Sequence, residues 1–157
     1  MSISRHFVLA AGGTGGHLIP AFALGQELLH RGHHVALITD ERGAKIPGAP
    51  DKIVTHILPA GRITKSPGSW LPGVKAIAEG RLMARRLYGS FEPSAVVGFG
   101  GYPAFPALLG AFAENVPTII HEQNAVLGRV NRFTARRVNA IAPAYPDILR
   151  LSPRYQD

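Results

Sequence analysis

The sequence contains no cysteine among its 157 residues. This absence excludes disulfide bonds, catalytic thiolates and zinc sites built on thiolates. A chain without cysteine also suits a reducing compartment. Long hydrophobic runs are lacking as well, since no stretch approaches the roughly 20 consecutive apolar residues that a membrane-spanning helix requires.

The amino-terminal segment lacks the pattern of a secretory signal. Arg5 is its one basic residue, and the apolar run over residues 7–11 ends in glycines rather than at a small-residue cleavage site. We therefore expect a cytoplasmic protein.

Acidic residues are few: 10 Asp and Glu stand against 17 Lys and Arg, which gives a formal net charge of +7. With 46% hydrophobic residues the chain is expected to form a globular domain. A basic balance indicates a phosphate-rich partner, namely nucleic acid, an anionic bilayer or a phosphorylated ligand. Many of the basic residues fall between positions 62 and 86 and between positions 129 and 137.

Short apolar runs alternate with segments of helical period along the chain. The predicted strands are His6–Ala11, His34–Thr39, Lys52–Leu58, Ala95–Phe99, Thr118–His121 and Ala140–Ala142. The predicted helices are Gly16–Arg31, Val74–Phe91, Pro103–Glu114 and Leu127–Arg137, with residues 59–73 as a long loop. This alternation predicts an α/β fold with a doubly wound, Rossmann-like parallel sheet, whose strand order we expect to be 3-2-1-4-5.

Two glycine-rich loops each follow a predicted strand and precede a helix. Residues 8–17 read VLAAGGTGGH and residues 98–103 read GFGGYP. In the expected strand order both loops face one crevice at the carboxyl edge of the sheet, where free N–H groups at helix starts suit two linked phosphates. The first loop is not a dinucleotide fingerprint, because Leu18 stands where the third glycine is required, and it has no P-loop lysine. The alternative is that the glycines only allow close packing.

A polar run, His121, Glu122, Gln123 and Asn124, follows the fifth predicted strand. These side chains suit hydrogen bonds to sugar hydroxyls or transfer of a proton. The alternative is a helix cap at Asn124 followed by a polar first turn. The seven histidines are scattered without metal-ligand spacing, so we expect no metal and no cofactor.

The segments GGTGGH, GFGGYPAFP and HEQNAVLGRVNR, in that order, resemble the MurG family over nearly the whole chain. These bacterial enzymes transfer N-acetylglucosamine from UDP-N-acetylglucosamine to lipid I, forming lipid II for peptidoglycan. The resemblance implies one half of a GT-B glycosyltransferase, with residues 1–145 as the acceptor-binding, membrane-associating domain and residues 146–157 leading toward a donor-binding domain outside this chain. It also implies a peripheral location on the cytoplasmic face of the inner membrane, and it implies no nucleic-acid partner.

The resemblance assigns roles to the motif residues. Those expected at the acceptor diphosphate are Gly12, Gly13, Gly100, Gly101 and Tyr102. Those expected near the donor sugar are Thr14, Gly15, Gly16 and Asn124. His17 is the candidate base for the acceptor hydroxyl in an inverting, metal-free transfer, with Glu122 and His121 as competitors. The alternative is that His17 only orients its loop.

Residues 62–91 mix basic and apolar side chains, in the region where the family carries an apolar patch ringed by basic residues. The predicted membrane contacts are Trp70, Leu71, Lys75, Arg81, Arg85 and Arg86, and Arg129, Arg132 and Arg136 are expected to extend them. This sequence departs from the family pattern at Ala78 and Arg81, which stand where strongly aromatic residues are expected. The alternative is an amphipathic helix with a solvated basic side.

Two other functions fit parts of the sequence. One is a non-catalytic subunit that binds a lipid pyrophosphate and presents it to a separate glycosyltransferase chain. The other is a nucleotide-cofactor protein in which Asp40, at the end of the second strand, holds a ribose; the broken fingerprint and the second glycine loop argue against it.

Overall fold

The structure is a computed structural model and describes residues 3–59 and 66–151. Its strands are β1 (His6–Ala11), β2 (His34–Thr39), β3 (Val54–Ile57), β4 (Ala95–Gly100), β5 (Thr118–Glu122) and β6 (Ala140–Pro143). Its α-helices are α1 (Gly15–His30), α2 (Trp70–Phe91), α3 (Ala104–Ala113) and α4 (Arg129–Thr134), and short 3₁₀ turns cover Gly43–Lys45 and Pro67–Ser69.

The described strands form one parallel sheet in the order β3-β2-β1-β4-β5-β6. This order confirms the predicted doubly wound sheet and adds β6 at the edge. Successive strands are added on one side of β1 as far as β3 and then on its other side from β4 to β6, so the loops after β1 and β4 emerge side by side. A crevice at that point is the usual ligand site of such sheets.

Apolar side chains alternate along the central strands and fill a core on both faces of the sheet. On one face Leu18 and Phe22 of α1 pack with Leu9 and Phe99. On the other face α2, α3 and α4 cover Val8 and its neighbours on the sheet. The helical layers hold the carboxyl edge of the sheet in place from both sides.

All four helices differ from their predicted bounds, α1 and α3 by a single residue at each end and α2 and α4 by more. Helix α2 begins at Trp70 rather than Val74, because proline is tolerated in a first helical turn and Pro72 does not prevent the helix there. Helix α4 covers Arg129–Thr134 rather than the predicted Leu127–Arg137. The N–H of Leu127 instead donates to Leu149 O at 2.9 Å, which ties this loop to the segment after β6. Residues 60–65 of the predicted long loop lie outside the described residues.

None of the helices in the described parts of the chain is long and apolar enough to cross a membrane.

Burial raises the pKa of the Tyr88 hydroxyl on α2 far above its ordinary value. That hydroxyl donates a hydrogen bond of 2.9 Å to Ala107 O, so α2 and α3 are joined by a buried polar contact.

Candidate active site

The first glycine loop turns sharply between β1 and α1. Gly13 has a φ of +71°, a conformation that favours glycine. A Cβ on Gly12 would overlap the Pro103 ring, and the N–H of Gly12 donates to Gly100 O at 3.3 Å. The N–H of Gly12 is therefore occupied by the second loop and is not free to bind a phosphate.

The second glycine loop lies directly against the first. Gly100 and Gly101 have φ values of +95° and +80°. A Cβ on Gly101 would lie 2.8 Å from Gly12 O, and one on Gly100 would lie 3.2 Å from Nε2 of His17. These contacts confirm that the two loops meet, and they show that several of the glycines are required for packing.

Three N–H groups of the first loop have no acceptor among the residues that the structure describes. No hydrogen bond within the described residues uses the N–H groups of Gly13, Gly15 or Gly16. Free N–H groups at the start of α1 carry the positive end of the helix dipole. The chemistry required of a phosphate site is thus found at these three positions rather than at Gly12.

His17 lies in the first turn of α1 and is half-buried. Its Nδ1 is 3.0 Å from Gly12 O and 3.0 Å from Thr14 Oγ1. A carbonyl oxygen only accepts, so Nδ1 carries the proton and donates to Gly12 O. In the neutral ring this tautomer leaves Nε2 as an acceptor, which is the state that a general base requires.

His17, the second glycine loop and part of the polar run after β5 line one cavity of about 380 Å³. Of the predicted site residues it is lined by His17, Gly100, Gly101, Tyr102, Glu122 and Asn124. Thr14, Gly15 and Gly16 do not line it; they lie on the neighbouring turn at the start of α1. The cavity is also lined by Gly128, Arg129, Val130 and Asn131.

Glu122 is 1% exposed and accepts four hydrogen bonds. Its Oε1 accepts from the backbone N–H and the side-chain amide of Asn124, at 3.0 and 2.9 Å. Its Oε2 accepts from the N–H of Gly128 at 2.9 Å and from the side-chain amide of Asn131 at 3.0 Å. A carboxylate occupied in this way holds the loop between β5 and α4 in place.

His121, the other competitor of His17, points to the opposite face of the sheet from Glu122, as neighbouring strand residues do. Its Nδ1 lies 2.8 Å from Ala142 O, and its ring packs edge-on against Phe99. It lines a separate apolar cavity that includes Pro20 and Leu24. The structure therefore places His121 and His17 in different cavities.

Sequence reasoning missed Asn131 as a site residue. Asn131 is 1% exposed, and its amide group also donates to His121 O at 3.0 Å. The sequence signal that could have revealed it is an amide side chain on the inward face of the short helix α4. Arg129, which the sequence predicts at a membrane surface, also lines the cavity of His17.

The predicted membrane contacts lie along the outer side of α2. Trp70, Leu71 and Val74 are 55%, 82% and 56% exposed. Basic residues follow on the same helix: Lys75 is paired to Glu79 at 3.8 Å, and Arg85 is paired to Glu114, which follows α3. Arg81 and Arg86 are exposed on the same helix. Arg62, Ile63 and Lys65 lie outside the described residues.

Helix α4 presents a second exposed surface. Phe133 is 73% exposed and packs edge-on against Phe105, and the predicted Arg132 and Arg136 lie beside it. Within residues 3–59 and 66–151, no group of three His, Asp or Glu side chains is placed to hold a metal ion.

Comparison with known proteins gives relatives over nearly the whole chain. The chain is 67% identical over 154 residues to a UDP-N-acetylglucosamine--N-acetylmuramyl-(pentapeptide) pyrophosphoryl-undecaprenol N-acetylglucosamine transferase of Erythrobacter litoralis, covering 98% of this chain and 39% of that protein. It is 67% identical over 153 residues to the protein of the same name in Novosphingobium aromaticivorans, with the same shares covered. The chain thus spans about two fifths of the length of these curated relatives.

A solved structure agrees with the sequence relatives. The crystal structure of Acinetobacter baumannii MurG superposes with a TM-score of 0.79 at 30% identity, covering 94% of this chain and 44% of that one. The family model described as the glycosyltransferase family 28 N-terminal domain matches residues 7–143. The chain therefore belongs to the glycosyltransferase family 28 N-terminal domain family.

Proposed function

We propose that this chain is the acceptor-binding half of an inverting glycosyltransferase that moves N-acetylglucosamine from UDP-N-acetylglucosamine to lipid I, giving lipid II and UDP. The observation that carries this proposal is the contact of His17 Nδ1 with Gly12 O at 3.0 Å, which leaves Nε2 as the acceptor of the neutral ring beside the cavity. The names of the Erythrobacter and Novosphingobium relatives support the choice of donor and acceptor.

The proposed reaction is a single displacement at the anomeric carbon of the donor sugar. The acceptor hydroxyl attacks that carbon, its proton passes to Nε2 of His17, and the bond to the diphosphate oxygen of UDP breaks with inversion. The free N–H groups of Gly13, Gly15 and Gly16, at the start of α1, hold the diphosphate of lipid I while its sugar hydroxyl reacts. Glu122 keeps Asn124 in position at the cavity.

The proposed division of labour places the acceptor on residues 1–145 and most of the nucleotide-sugar contacts on a second domain that follows residues 146–157. The exposed apolar residues of α2, with basic residues beside them, support contact with an anionic membrane surface. We propose a peripheral location on the cytoplasmic face of the bacterial inner membrane. The proposed role is in the synthesis of the cell wall, on which cell shape and division depend.

The test measures transfer of labelled N-acetylglucosamine from UDP to lipid I by the full-length protein and by this chain of 157 residues. We expect transfer by the full-length protein only. His17→Ala in the full-length protein is expected to lower kcat by a factor of about 10² or more, the usual contribution of a general base. His30→Ala, at the far end of α1, is the matched control.

Two results would contradict the proposal. A decrease of less than about tenfold in kcat, or about 1.4 kcal/mol of barrier, would leave His17 with a structural role only. Absence of transfer by the full-length protein, combined with binding of lipid I, would favour the non-catalytic presenting subunit.

A further inference from the structure

We infer that Arg42, in the loop after β2, is a third phosphate-binding element of the acceptor site and contacts the lipid-linked diphosphate beside the first glycine loop. This inference rests on the proposed function, since it concerns the same acceptor. Arg42 belongs to neither glycine motif nor to the polar run after β5, and its placement follows from the fold of its own loop.

The loop after β2 is held by its own hydrogen bonds. Oδ1 of Asp40 accepts from the N–H of Gly43 at 2.8 Å, and the N–H of Ala44 donates to Asp40 O at 2.9 Å. Gly43 is buried, and a Cβ there would overlap the hydroxyl of Thr39. The turn is therefore fixed against the end of β2, and the Arg42 side chain within it extends toward the neighbouring loop after β1.

Arg42 reaches across to the first glycine loop. A Cβ built on Gly13 would lie 2.8 Å from Nη2 of Arg42, so the guanidinium lies directly beside the turn at Gly13. The free N–H groups of Gly13, Gly15 and Gly16 are on that same turn. A phosphate seated on these N–H groups would therefore also lie beside a positive charge.

Most hydrogen-bonding capacity of Arg42 is unused. Within the described residues its side chain makes a single ion pair, from Nη2 to Oδ2 of Asp40, at the long distance of 3.4 Å. The side chain is 69% exposed, whereas that of Asp40 is 18% exposed. A guanidinium has five N–H donors, so this contact orients Arg42 and leaves most of its donors for a ligand.

The charges around Arg42 agree with a phosphate contact. Oδ2 of Asp40 lies 3.6 Å from the same Cβ position on Gly13, and its negative charge is offset by Arg42 and by the hydrogen bond from the N–H of Gly43. Glu41 is exposed, where solvent and salt screen its carboxylate. Arginine binds a phosphate through two parallel hydrogen bonds, which lysine cannot reproduce. Arg42 is thus expected to select the diphosphate and to fix its orientation.

The experiment uses the full-length protein and varies lipid I at saturating UDP-N-acetylglucosamine. For Arg42→Gln we expect the KM for lipid I to rise at least about tenfold, the effect of losing one charge-assisted hydrogen bond. The kcat and the KM for UDP-N-acetylglucosamine should change less than about threefold, because the contact is made to bound acceptor in both ground and transition states. Arg42→Lys should recover only part of the loss.

Arg31→Gln is the matched control. Arg31 is 67% exposed and pairs with a single carboxylate, Glu27, at the opposite end of α1 from the glycine loop. Its substitution removes the same charge and should leave every kinetic constant unchanged. A second measurement, calorimetric titration of farnesyl diphosphate into protein saturated with UDP, reports phosphate binding without turnover. Arg42→Gln should weaken that binding about tenfold, in line with the same lost hydrogen bond.

The outcomes separate this inference from the proposed function. If the wild-type protein transfers sugar and Arg42→Gln behaves like Arg31→Gln in both assays, the inference is overturned and the function stands. If Arg42→Gln raises the KM for the sugar nucleotide instead, the assignment to the acceptor is wrong. If the wild-type protein transfers no sugar but Arg42→Gln still weakens farnesyl diphosphate binding, the phosphate contact stands and the function fails.

Discussion

Replacing Glu122 by Gln keeps the shape of the side chain and removes its charge. Four N–H groups point at the two carboxylate oxygens, two at each. A glutamine has one oxygen and one NH₂ group, so in either orientation two of these N–H donors face another donor. Two hydrogen bonds are lost, and the remaining two lose the assistance of a charge.

The expected loss of stability follows from these bonds. A hydrogen bond to a charged group contributes about 1.5–3 kcal/mol, so two lost bonds amount to about 3–6 kcal/mol if nothing moves. The exposed residues between Asn124 and Val126 can shift and admit water, which places the expected decrease in the free energy of unfolding near 3 kcal/mol. For a domain of this length that corresponds to a Tm about 6–12 °C lower.

The assay is urea unfolding of this chain followed by circular dichroism, with Glu114→Gln as control. Glu114 is an exposed carboxylate paired with Arg85 on the surface, so its substitution should lower the free energy of unfolding by no more than about 1 kcal/mol. A decrease below about 1 kcal/mol for Glu122→Gln as well would refute the argument that the carboxylate organises this loop.

Three further predictions address other parts of the fold. Gly101→Ala should lower the free energy of unfolding by about 1–3 kcal/mol, because Gly101 has a positive φ and contacts the first glycine loop. Gly89→Ala is the control, since Gly89 faces open space on α2, and it should raise the free energy of unfolding by up to about 1 kcal/mol in the same urea assay. Burial lowers the pKa of His56, so the unfolded chain binds a proton more readily than the folded chain does. The free energy of unfolding is therefore highest above about pH 6.5 and decreases as the pH falls below it. Urea midpoints at about pH 7.5 and 5.5 should show this decrease, and the difference should be smaller in His56→Gln. Leu71→Glu should weaken sedimentation with anionic vesicles by about tenfold or more, while Val54→Glu, exposed on β3, should not; equal effects would argue against α2 as the membrane surface.

The order of elements was predictable because the pattern of burial repeats along the chain. HVALIT and HFVLAA are short apolar runs that read directly as buried parallel strands, and the structure confirms both ranges. Helix boundaries were less predictable where loop residues also suit a helix. Pro72 and Gly73 indicated a loop, yet both lie in the first turn of α2, and Gly73 is buried.

The candidate site was predictable as a location but not as a set of bonds. Strand order alone brings the two glycine loops together, and the structure confirms that contact. Which N–H groups are free depends on register: the N–H of Gly12 is occupied by Gly100 O, which no local pattern reveals. The reach of Arg42 to Gly13 likewise depends on a tertiary contact between loops that are distant in the sequence.

The close approach of Gly12 to the Pro103 ring has a consequence for how the sequence can evolve. Any side chain at position 12 would overlap that ring, so the first position cannot change until the second becomes smaller. Substitutions at the two sites are therefore epistatic: their combined effect differs from the sum of the separate effects. Across a family that keeps this loop contact, the two positions are expected to vary together rather than independently.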